Sequence, residues 1–405
     1  MSIDLVTPPY AGHLFPLLEL GRRLRARGQT SLRVASTPDA GAAIRLCGLT
    51  PLEILSNRAD EVWAIADTAQ HIGFHPLRLY QQFRANMALM AGAAAQLRAI
   101  WTEQRPDLVI ADFTVPVAGF VARSMGIRWW TSMPTPCVVE TKTGTPAYLG
   151  GWTPGSTLPK RVRDALGRTA ITLFKRSVAA MFRSDLRALG INNVYRHDGS
   201  EAAYSDECIL ALGMREFEFE RDWPEALHFI GPLSESPPFP HPAPLFDGRP
   251  AVLVTLGTHL SWARQRAEAL VRQLAAQLPD CLFHFAMGQH ASTVREIDGN
   301  VHRYGFIAYD RYLSRYSAAV IHGGTGITYA CIQAGVPMLV WPHDYDQHDH
   351  AARIAGKGLG LRMRPQSAAR DLRRLLTDEP LRARVRDFQR LSAEYDAGRW
   401  VAERL

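Results

Sequence analysis

In the first half of the chain, short apolar runs alternate with longer runs in which apolar and polar residues recur at helical spacing. The apolar runs predict buried strands, and the amphipathic runs predict helices that cover them. The predicted strands are 3–6, 32–36 and 108–111, and the predicted helices are 14–27, about 39–46, much of 60–103, and 117–125. This order predicts an α/β domain built on a doubly wound parallel sheet.

A proline-rich segment separates this series from a second one. Six prolines fall between Ser234 and Pro250, and a segment of that composition forms neither a helix nor a central strand. The second series comprises predicted strands at 251–256, 281–286 and 318–321, a predicted helix at about 261–278, and another that ends near Gln333. We therefore predict two Rossmann-like domains, 1–233 and 251–379, joined by the linker 234–250.

The composition is that of a folded globular protein. Of 405 residues, 47% are hydrophobic and 21% are charged, which argues against a disordered chain. The five cysteines are scattered without a Cys-x-x-Cys pair, so we expect reduced thiols and no metal site. The N-terminus enters a strand directly and matches neither a signal peptide nor a transmembrane segment, so we expect a cytoplasmic protein.

The chain is basic, with a formal net charge of +7 and a pI near 9.3. Most of the excess is arginine, which is dense in 159–187 and 362–390. We interpret the second stretch as a solvated helical region. In the first, apolar residues alternate with Lys and Arg, so it forms either a helix packed on its domain or a basic helix in peripheral contact with a membrane. We find no nucleic-acid-binding motif and expect no nucleic-acid partner.

The segment 322–328 has the composition of a phosphate-binding loop. It reads His-Gly-Gly-Thr-Gly-Ile-Thr, and it joins a predicted strand to a predicted helix. A helix N-terminus carries unpaired N–H groups and a partial positive charge, and glycines let a diphosphate approach that backbone closely. Ala-Gly-Val-Pro follows at 334–337, and Asp346-Gln347 is an acid–amide pair suited to sugar hydroxyls. Together these residues predict a nucleotide-sugar site.

These residues resemble the donor motif of the GT-B glycosyltransferases that use UDP- or dTDP-sugars and small lipophilic acceptors. That motif runs His-Gly-Gly-x-Gly-Thr, a hydrophobic helix, Gly-Val-Pro, a proline, Asp-Gln and Gly-x-Gly. The matching residues are 322–327, 335–337, Pro342, Asp346-Gln347 and 358–360. Two positions depart from it. Ala330 stands where the family usually has a Glu that holds the ribose hydroxyls, and His350-Ala351 stands where Asn-Ala is usual.

The resemblance implies the GT-B arrangement, in which two doubly wound parallel-sheet domains face a cleft. In that family the terminal helix crosses back onto the first domain, and 380–405 is long enough to do so. Ligands of such sheets bind at the carboxyl ends of the strands. The expected donor-binding residues are Gly257, Thr258, His322, Gly323, Gly324, Thr325, Gly326, Ile327, Asp346 and Gln347.

Some of these donor residues have simpler interpretations. Gly257-Thr258 also suits a plain strand–loop turn, and Asp346 also suits a helix cap. Asp344-Tyr-Asp346 is formally an Asp-x-Asp, the metal–diphosphate signature of a different glycosyltransferase fold. Because a helix N-terminus already meets the phosphate charge, we expect neither a metal nor another cofactor beside the nucleotide sugar.

His13 is the candidate general base. It lies after the first predicted strand, in Gly-His-Leu-Phe-Pro at 12–16, which matches the family's Gly-His-x-x-Pro motif, where the histidine is the base. Asp112 ends the strand 108–111 and matches the aspartate that holds this histidine in the family. Histidine suits the role because its pKa lies near neutral pH. The alternatives are a loop histidine and an aspartate that caps the next helix.

Aromatic and apolar residues in two regions are the candidate acceptor contacts. The regions 60–86 and 129–152 contain Trp63, Phe74, Met133, Tyr148 and Trp152. Such side chains suit a lipophilic or aromatic acceptor. The alternative is that some of them belong to the core.

We therefore predict an inverting, metal-independent glycosyltransferase that moves a sugar from a UDP- or dTDP-sugar to a hydroxyl of a small lipophilic acceptor, such as a secondary metabolite, pigment or lipid. Direct displacement by one activated hydroxyl inverts the anomeric centre, and no paired carboxylates suggest a covalent intermediate. Two alternatives are an epimerase or hydrolase on the same fold, and a non-catalytic homologue that binds a nucleotide sugar or helps a partner enzyme. Ala330 and His350 keep the last one open.

Overall fold

The computed structural model describes residues 1–66, 76–290 and 292–405. These residues divide into two compact units. The first contains the described residues up to Leu233 together with Asp396–Leu405, and the second contains Ser234–Tyr395. The predicted C-terminal segment is therefore divided, with 380–395 in the second unit and Asp396–Leu405 in the first.

The first unit is built on a seven-stranded parallel sheet with the strand order β3-β2-β1-β4-β5-β6-β7. Its strands are β1 (Ile3–Val6), β2 (Leu32–Ser36), β3 (Thr50–Glu53), β4 (Leu108–Asp112), β5 (Arg128–Met133), β6 (Ile209–Ala211) and β7 (Leu227–Phe229). Its helices are α1 (Ala11–Ala26), α2 (Gly41–Leu46), α3 (Ala59–Ala66), α4 (Pro76–Glu103), α5 (Pro116–Ser124), α6 (Leu158–Met181) and α7 (Arg183–Ala188).

The second unit repeats the architecture with the order β10-β11-β9-β8-β12-β13-β14. Its strands are β8 (Ala251–Thr255), β9 (Leu282–Ala286), β10 (Arg295–Asp298), β11 (Val301–Tyr304), β12 (Ala318–Ile321), β13 (Met338–Val340) and β14 (Gly360–Arg362). Its helices are α8 (Arg264–Gln277), α9 (Tyr309–Tyr312), α10 (Thr325–Ala334), α11 (Gln347–Gly356), α12 (Ala368–Thr377) and α13 (Glu379–Ser392). The edge strand β10 is antiparallel to β11. The predicted fold class, two doubly wound parallel-sheet domains, is confirmed.

The last helix, α14 (Ala397–Ala402), belongs to the first unit and packs against α1. Arg27, at the end of α1, donates to the carboxylate of Asp396 at 2.6 Å. The side chain of Asp396 also accepts a hydrogen bond from the backbone N–H of Arg399 and so caps α14. One aspartate therefore both starts the terminal helix and ties it to the first unit.

The central strands are buried because their sequences are nearly continuous apolar runs. All residues of β1, β4, β8, β9 and β12 are buried, as parallel strands covered by helices on both faces require. Helices α4 and α5 pack on the first sheet, where Leu97, Trp101 and Phe120 join its core. Packing in the core of each unit therefore holds the carboxyl ends of its strands in fixed positions.

The first helix begins earlier than its hydrophobic pattern predicts. The structure starts α1 at Ala11, because the carbonyl of Tyr10 accepts from the N–H of Leu14 at 2.8 Å. The pattern predicts a start at Leu14, and α1 contains Pro16 in its second turn. His13 therefore lies in the first turn of a helix and not in a loop.

Each sheet changes its winding direction between two adjacent strands. In the first sheet the chain runs outward from β1 on one side and from β4 on the other, with Val6 opposite Ala111. In the second sheet the reversal lies between β8 and β12, with Thr255 opposite Ile321. The carboxyl ends of strands at such a reversal form a crevice, which is the usual ligand site of open α/β sheets.

A buried carboxylate interrupts the apolar run of β1. Asp4 is fully buried, and its carboxylate accepts two hydrogen bonds from the guanidinium of Arg33 at 2.7 Å and one from the indole of Trp101 at 2.8 Å. Burial raises the pKa of Asp4, and the hydrogen bonds from Arg33 and Trp101 oppose that rise. This cluster ties β1, β2 and α4 together at the amino end of the sheet.

We expect Asp4→Ala to lower the free energy of unfolding by roughly 3–5 kcal/mol, because it leaves a largely buried guanidinium and a buried indole N–H without their acceptor. Urea denaturation followed by circular dichroism measures the change. Asp298→Ala, at an exposed position on β10, is the matched control and should change stability little. Equal effects of the two substitutions would contradict a structural role for Asp4.

Candidate functional site

The structure brings His13 and Asp112 together at the reversal point of the first sheet. Nδ1 of His13 lies 3.0 Å from Oδ1 and 3.1 Å from Oδ2 of Asp112. The carboxylate is buried, whereas about a quarter of the His13 side chain is exposed. Because a carboxylate accepts, Nδ1 carries the proton and Nε2 of the neutral ring holds the lone pair. A carboxylate that orients an accessible imidazole in this way can support proton abstraction.

Asp112 also stabilises the turn that follows β4. Its Oδ1 accepts from the backbone N–H of Thr114 at 2.9 Å and from the hydroxyl of the same residue. Helix α5 begins later, with Val115 at the N-cap position and no side-chain cap. The aspartate is therefore fixed by a turn and does not cap the helix.

Aromatic rings flank His13, and two of them are not among the site residues predicted from the sequence. Phe113 lies with its ring centre 5.6 Å from that of His13, and Tyr10 meets the imidazole edge-on at 6.1 Å. Tyr10 in turn contacts Trp63 at 5.5 Å, and the indole N–H of Trp63 donates to Asp39. Tyr10 and Phe113 lie within three residues of His13 and Asp112, which the motifs identify. Their position next to a strand end was therefore the sequence signal that could have found them.

The remaining predicted acceptor residues have different surroundings. Met133 is fully buried in a core cluster with Cys137 and Val138, so it presents no surface to an acceptor, and that prediction is replaced by a core role. Tyr148 is partly buried against the same cluster. Trp152 lies beneath the guanidinium of Arg163, which is 4.6 Å from the ring centre. Phe74 lies outside the described residues.

The glycine-rich loop of the second unit is shaped around the imidazole of His322. A Cβ placed on Gly324 would lie 2.3 Å from Nε2 of His322, and one on Gly257 would lie 2.8 Å from Cε1. Gly257 also has a φ of 73°, which favours glycine. The ring thus lies between the loop after β8 and the start of α10, and both loops must lack side chains to hold it.

Helix α10 follows β12, and no side chain caps its N-terminus. Gly324 occupies the N-cap position with extended backbone angles, and its carbonyl accepts from the N–H of Thr328 at 3.1 Å. The N–H groups of Thr325, Gly326 and Ile327 have no carbonyl partner within the helix, as in any first turn. No acidic residue lies in this turn to repel an anion. The turn is therefore suited to phosphate oxygens.

His322 is a neutral donor near physiological pH. Burial lowers the pKa of His322 to about 3, and the nearby His343 and His259 lower it further. Nδ1 of His322 is buried and has no hydrogen-bond partner in the described part of the chain. The ring can therefore contribute one hydrogen bond to a ligand, while the positive potential comes from the helix N-terminus.

Helix α11 supports the glycine-rich loop through His350, which the sequence analysis treated only as a departure from the family. This histidine is buried, and its Nδ1 donates to the carbonyl of Gly323 at 2.8 Å. A Cβ on Gly323 would lie 3.0 Å from the carbonyl oxygen of Gln347, and its φ of 91° favours glycine. His350 therefore holds the glycine-rich loop in position through this hydrogen bond.

The Asp346-Gln347 pair lies at the start of the same helix. Asp346 occupies the N-cap position of α11, but its side chain accepts no capping hydrogen bond. Gln347 is buried, and its carbonyl oxygen accepts from the N–H groups of His343 and Asp344. That oxygen shapes the loop, so only the amide nitrogen of Gln347 retains the donor role that the sequence predicts. Thr258 lies next to Gly257 and is partly exposed.

Residues 1–66, 76–290 and 292–405 contain no group of three or more His, Cys, Asp or Glu side chains arranged to hold a metal ion. Within the same ranges, no helix is both long and apolar enough to cross a membrane.

Known proteins resemble this chain in sequence. Residues 270–397 match the model of the erythromycin biosynthesis protein CIII-like C-terminal domain. The chain is 29% identical to 4'-demethylrebeccamycin synthase of Lentzea aerocolonigenes, over 76% of this chain and 74% of that protein. It is 22% identical to zeaxanthin glucosyltransferase of Pseudescherichia vulneris, over 78% of this chain and 81% of that protein.

Solved structures share the fold over the whole chain. The glycotransferase of kitacinnamycin superposes with a TM-score of 0.76 at 24% identity, over 99% of this chain and 97% of that one. The glycosyltransferase SsfS6 of Streptomyces sp. SF2575, complexed with thymidine diphosphate, gives 0.68 at 17% identity, over 100% and 98%. The chain is therefore a glycosyltransferase with the GT-B fold, and it is similar to glycosyltransferases of natural-product biosynthesis.

Proposed function

We propose that this enzyme transfers a sugar, with inversion and without a metal ion, from a dTDP-sugar to a hydroxyl group of a small lipophilic acceptor. The observation that carries the proposal is the hydrogen bond of Nδ1 of His13 to the buried carboxylate of Asp112. This pair gives Nε2 the lone pair that a general base needs, and it stabilises the imidazolium that forms.

The reaction would proceed in one displacement. Nε2 of His13 takes the proton of the acceptor hydroxyl, and the acceptor oxygen forms a bond to the anomeric carbon of the sugar. The bond from that carbon to the diphosphate oxygen breaks, and its electron pair leaves with dTDP. Attack from the side opposite the leaving group converts an α-linked donor into a β-glycoside. General-base help of this kind typically contributes ~10²–10⁴-fold to the rate.

The glycine-rich loop would hold the departing diphosphate. The N–H groups of the first turn of α10 and the neutral ring of His322 offer several donors at one corner. Negative charge grows on the diphosphate as the bond breaks, so donors already in position stabilise the transition state as well as the bound donor. Asp346 and the amide nitrogen of Gln347 would contact sugar hydroxyls at the start of α11.

Two observations favour a deoxyribonucleotide donor. Ala330 is buried on α10 at the position where the family usually has the glutamate that holds ribose hydroxyls. Deoxyribose has one hydroxyl fewer than ribose, so a site without that carboxylate loses less with dTDP than with UDP. A structural neighbour, SsfS6, was solved with thymidine diphosphate. The preferred nucleotide is therefore dTDP.

The aromatic rings around His13 favour an apolar acceptor. Tyr10 and Phe113 contact the imidazole, and Trp63 contacts Tyr10. Aromatic rings on either side of a base suit a flat or apolar molecule with one hydroxyl group directed at the base. The relative named zeaxanthin glucosyltransferase acts, by its name, on zeaxanthin. An acceptor of this chemical class is the first choice for a screen.

We expect His13→Ala to lower kcat by ~10²–10⁴-fold and to leave the Kd for dTDP nearly unchanged, because the substitution removes the base and not the donor loop. Release of dTDP in the presence of an acceptor from the screen measures kcat, and isothermal titration measures Kd. His197→Ala, at an exposed position of the same unit, is the matched control. Unchanged turnover in His13→Ala would end this assignment.

We expect Gly324→Ala to raise the Kd for dTDP on the order of ten-fold, because its new methyl group would lie 2.3 Å from Nε2 of His322 and displace the ring. Asp298→Ala, at an exposed position on β10 of the same unit, is the control. Isothermal titration with dTDP compares the two proteins. Equal affinities would show that the position of His322 does not matter for nucleotide binding.

Thermal stabilisation by dTDP, UDP, GDP and NAD tests the nucleotide. We expect the largest shift with dTDP, because a bound ligand stabilises the folded state in proportion to its affinity. A larger shift with UDP would contradict the argument from Ala330. Product analysis with a dTDP-sugar and no acceptor then separates transfer from the epimerase and hydrolase alternatives, which need no acceptor.

A further inference from the structure

Helix α6 carries an apolar face that is exposed to solvent. Leu158, Leu166 and Met181 have 60–72% of their surface accessible, which is unusual for side chains of this size. Six large apolar residues of the helix are exposed in this way: Leu158, Val162, Leu166, Leu173, Phe174 and Met181. We call them the outer face of α6.

Most of the outer face forms one stripe. Val162 and Leu166 follow Leu158 at intervals of four residues, and Leu173 follows Leu166 after two turns. At about 100° per residue these positions lie on the same side of the helix. A stripe of this length on one helix is larger than the scattered apolar residues that ordinary surfaces carry.

The opposite side of α6 is the one that faces the first unit. Gly167 is buried, and a Cβ there would lie 2.6 Å from the ring of Trp152 and 2.8 Å from Pro146. Asp164 is also buried and pairs with Arg163 at 2.6 Å. At these two positions the side that packs on the unit is small or polar, whereas the outer face is directed to solvent.

A buried ion cluster fixes this orientation. Nζ of Lys175 lies 2.7 Å from Glu140 and also pairs with Glu201. The hydroxyls of Thr172 and Tyr195 donate to the carboxylate of Glu140 at 2.9 and 2.8 Å. Rotating α6 to bury its outer face would leave two carboxylates without their cation, which is costly for buried charges. The cluster therefore keeps the outer face exposed.

The surroundings of the outer face are positively charged. Residues 158–188 contain eight Lys and Arg against two Asp. Arg161 and Arg176 are exposed and lie on the helix beside the apolar stripe, and Arg183 and Arg187 are exposed on α7, directly beyond it. A second copy of the chain docked on this face would bring like charges together, whereas an anionic surface would neutralise them.

Aromatic residues of α4 continue the surface. Tyr80 stacks on Phe182 with ring centres 5.7 Å apart, and Phe83 contacts Phe174 at 6.2 Å. Tyr80 is itself more than a third exposed, and Leu77 in the same helix turn is 59% exposed. An apolar stripe with neighbouring aromatic side chains and flanking cations is the composition of helices that lie in a membrane interface.

We propose that the outer face of α6 docks on the surface of an anionic lipid bilayer. The apolar side chains would enter the boundary between headgroups and acyl chains, and Arg161, Arg176, Arg183 and Arg187 would contact the lipid phosphates. The helix would lie along the membrane and not cross it. This binding is independent of the sugar-transfer step, so it stands or falls separately from the proposed function.

Co-sedimentation with vesicles tests the proposal. The full-length protein should pellet with vesicles of phosphatidylcholine and phosphatidylglycerol, stay in solution with phosphatidylcholine alone, and be released by high salt, because salt screens the charges. Leu166→Glu/Leu173→Glu should lower the bound fraction at least ~10-fold, because each change removes an apolar group from the interface and adds a repelled charge. Arg161→Gln/Arg176→Gln should lower it by roughly 10- to 30-fold.

Two controls keep the outcome specific. Ile297→Glu, at an exposed apolar position of the second unit, and Arg370→Gln/Arg390→Gln, at exposed basic positions there, should bind vesicles as the wild type does. Thermal denaturation checks that every variant is folded. Absence of wild-type binding, or equal binding by all variants, would overturn the proposal. A dimer that Leu166→Glu/Leu173→Glu dissociates, with no vesicle binding, would assign the face to a second copy instead.

Discussion

The reversal of strand order in each sheet is the constraint on which both candidate sites depend. Where the chain winds outward in two directions, the loops after two neighbouring strands diverge and leave an open corner. In the first unit that corner receives His13 from the helix after β1 and Asp112 from the end of β4. In the second it receives the loops after β8 and β12, which enclose His322. The same topology thus positions the proposed proton acceptor in one unit and the proposed anion-binding turn in the other.

The two histidines show how surroundings set the chemistry of one side-chain type. His13 is partly exposed and has a carboxylate on one nitrogen, an arrangement that favours the charged ring during proton transfer. Burial among other histidines lowers the pKa of His322 to about 3, an arrangement that keeps the ring neutral. One imidazole is suited to changing its charge and the other to keeping it. A single sequence motif could not distinguish these roles, because they arise from burial and from neighbours distant in sequence.

Continuous apolar runs let the sequence predict the central strands closely. The predicted strands 32–36 and 318–321 coincide with β2 and β12, since a strand buried on both faces needs apolar residues throughout. The edge strand β10 escaped prediction: it is exposed along its length and Ile297 is its single apolar residue, so nothing in its pattern separates it from a loop. Glycine and histidine motifs drew attention to the glycine-rich loop at 322–328, but the support from His350 and the burial of Met133 depend on packing that no local pattern records. The start of α1 lies three residues before the predicted one, because Ala11, Gly12 and His13 lack the large apolar side chains on which the pattern rests.

Gly257, in the loop after β8, and Gly288, in the loop after β9, are in close contact. Gly288 follows β9, and a Cβ there would lie only 1.8 Å from the carbonyl oxygen of Gly257; both residues have positive φ angles. Neither loop can gain a side chain or an inserted residue at this contact without displacing the other. The two loops must therefore change together during evolution, if at all. Diversification of donor preference is consequently directed to positions away from this contact, such as Ala330, where a side chain can change while the backbone stays in place.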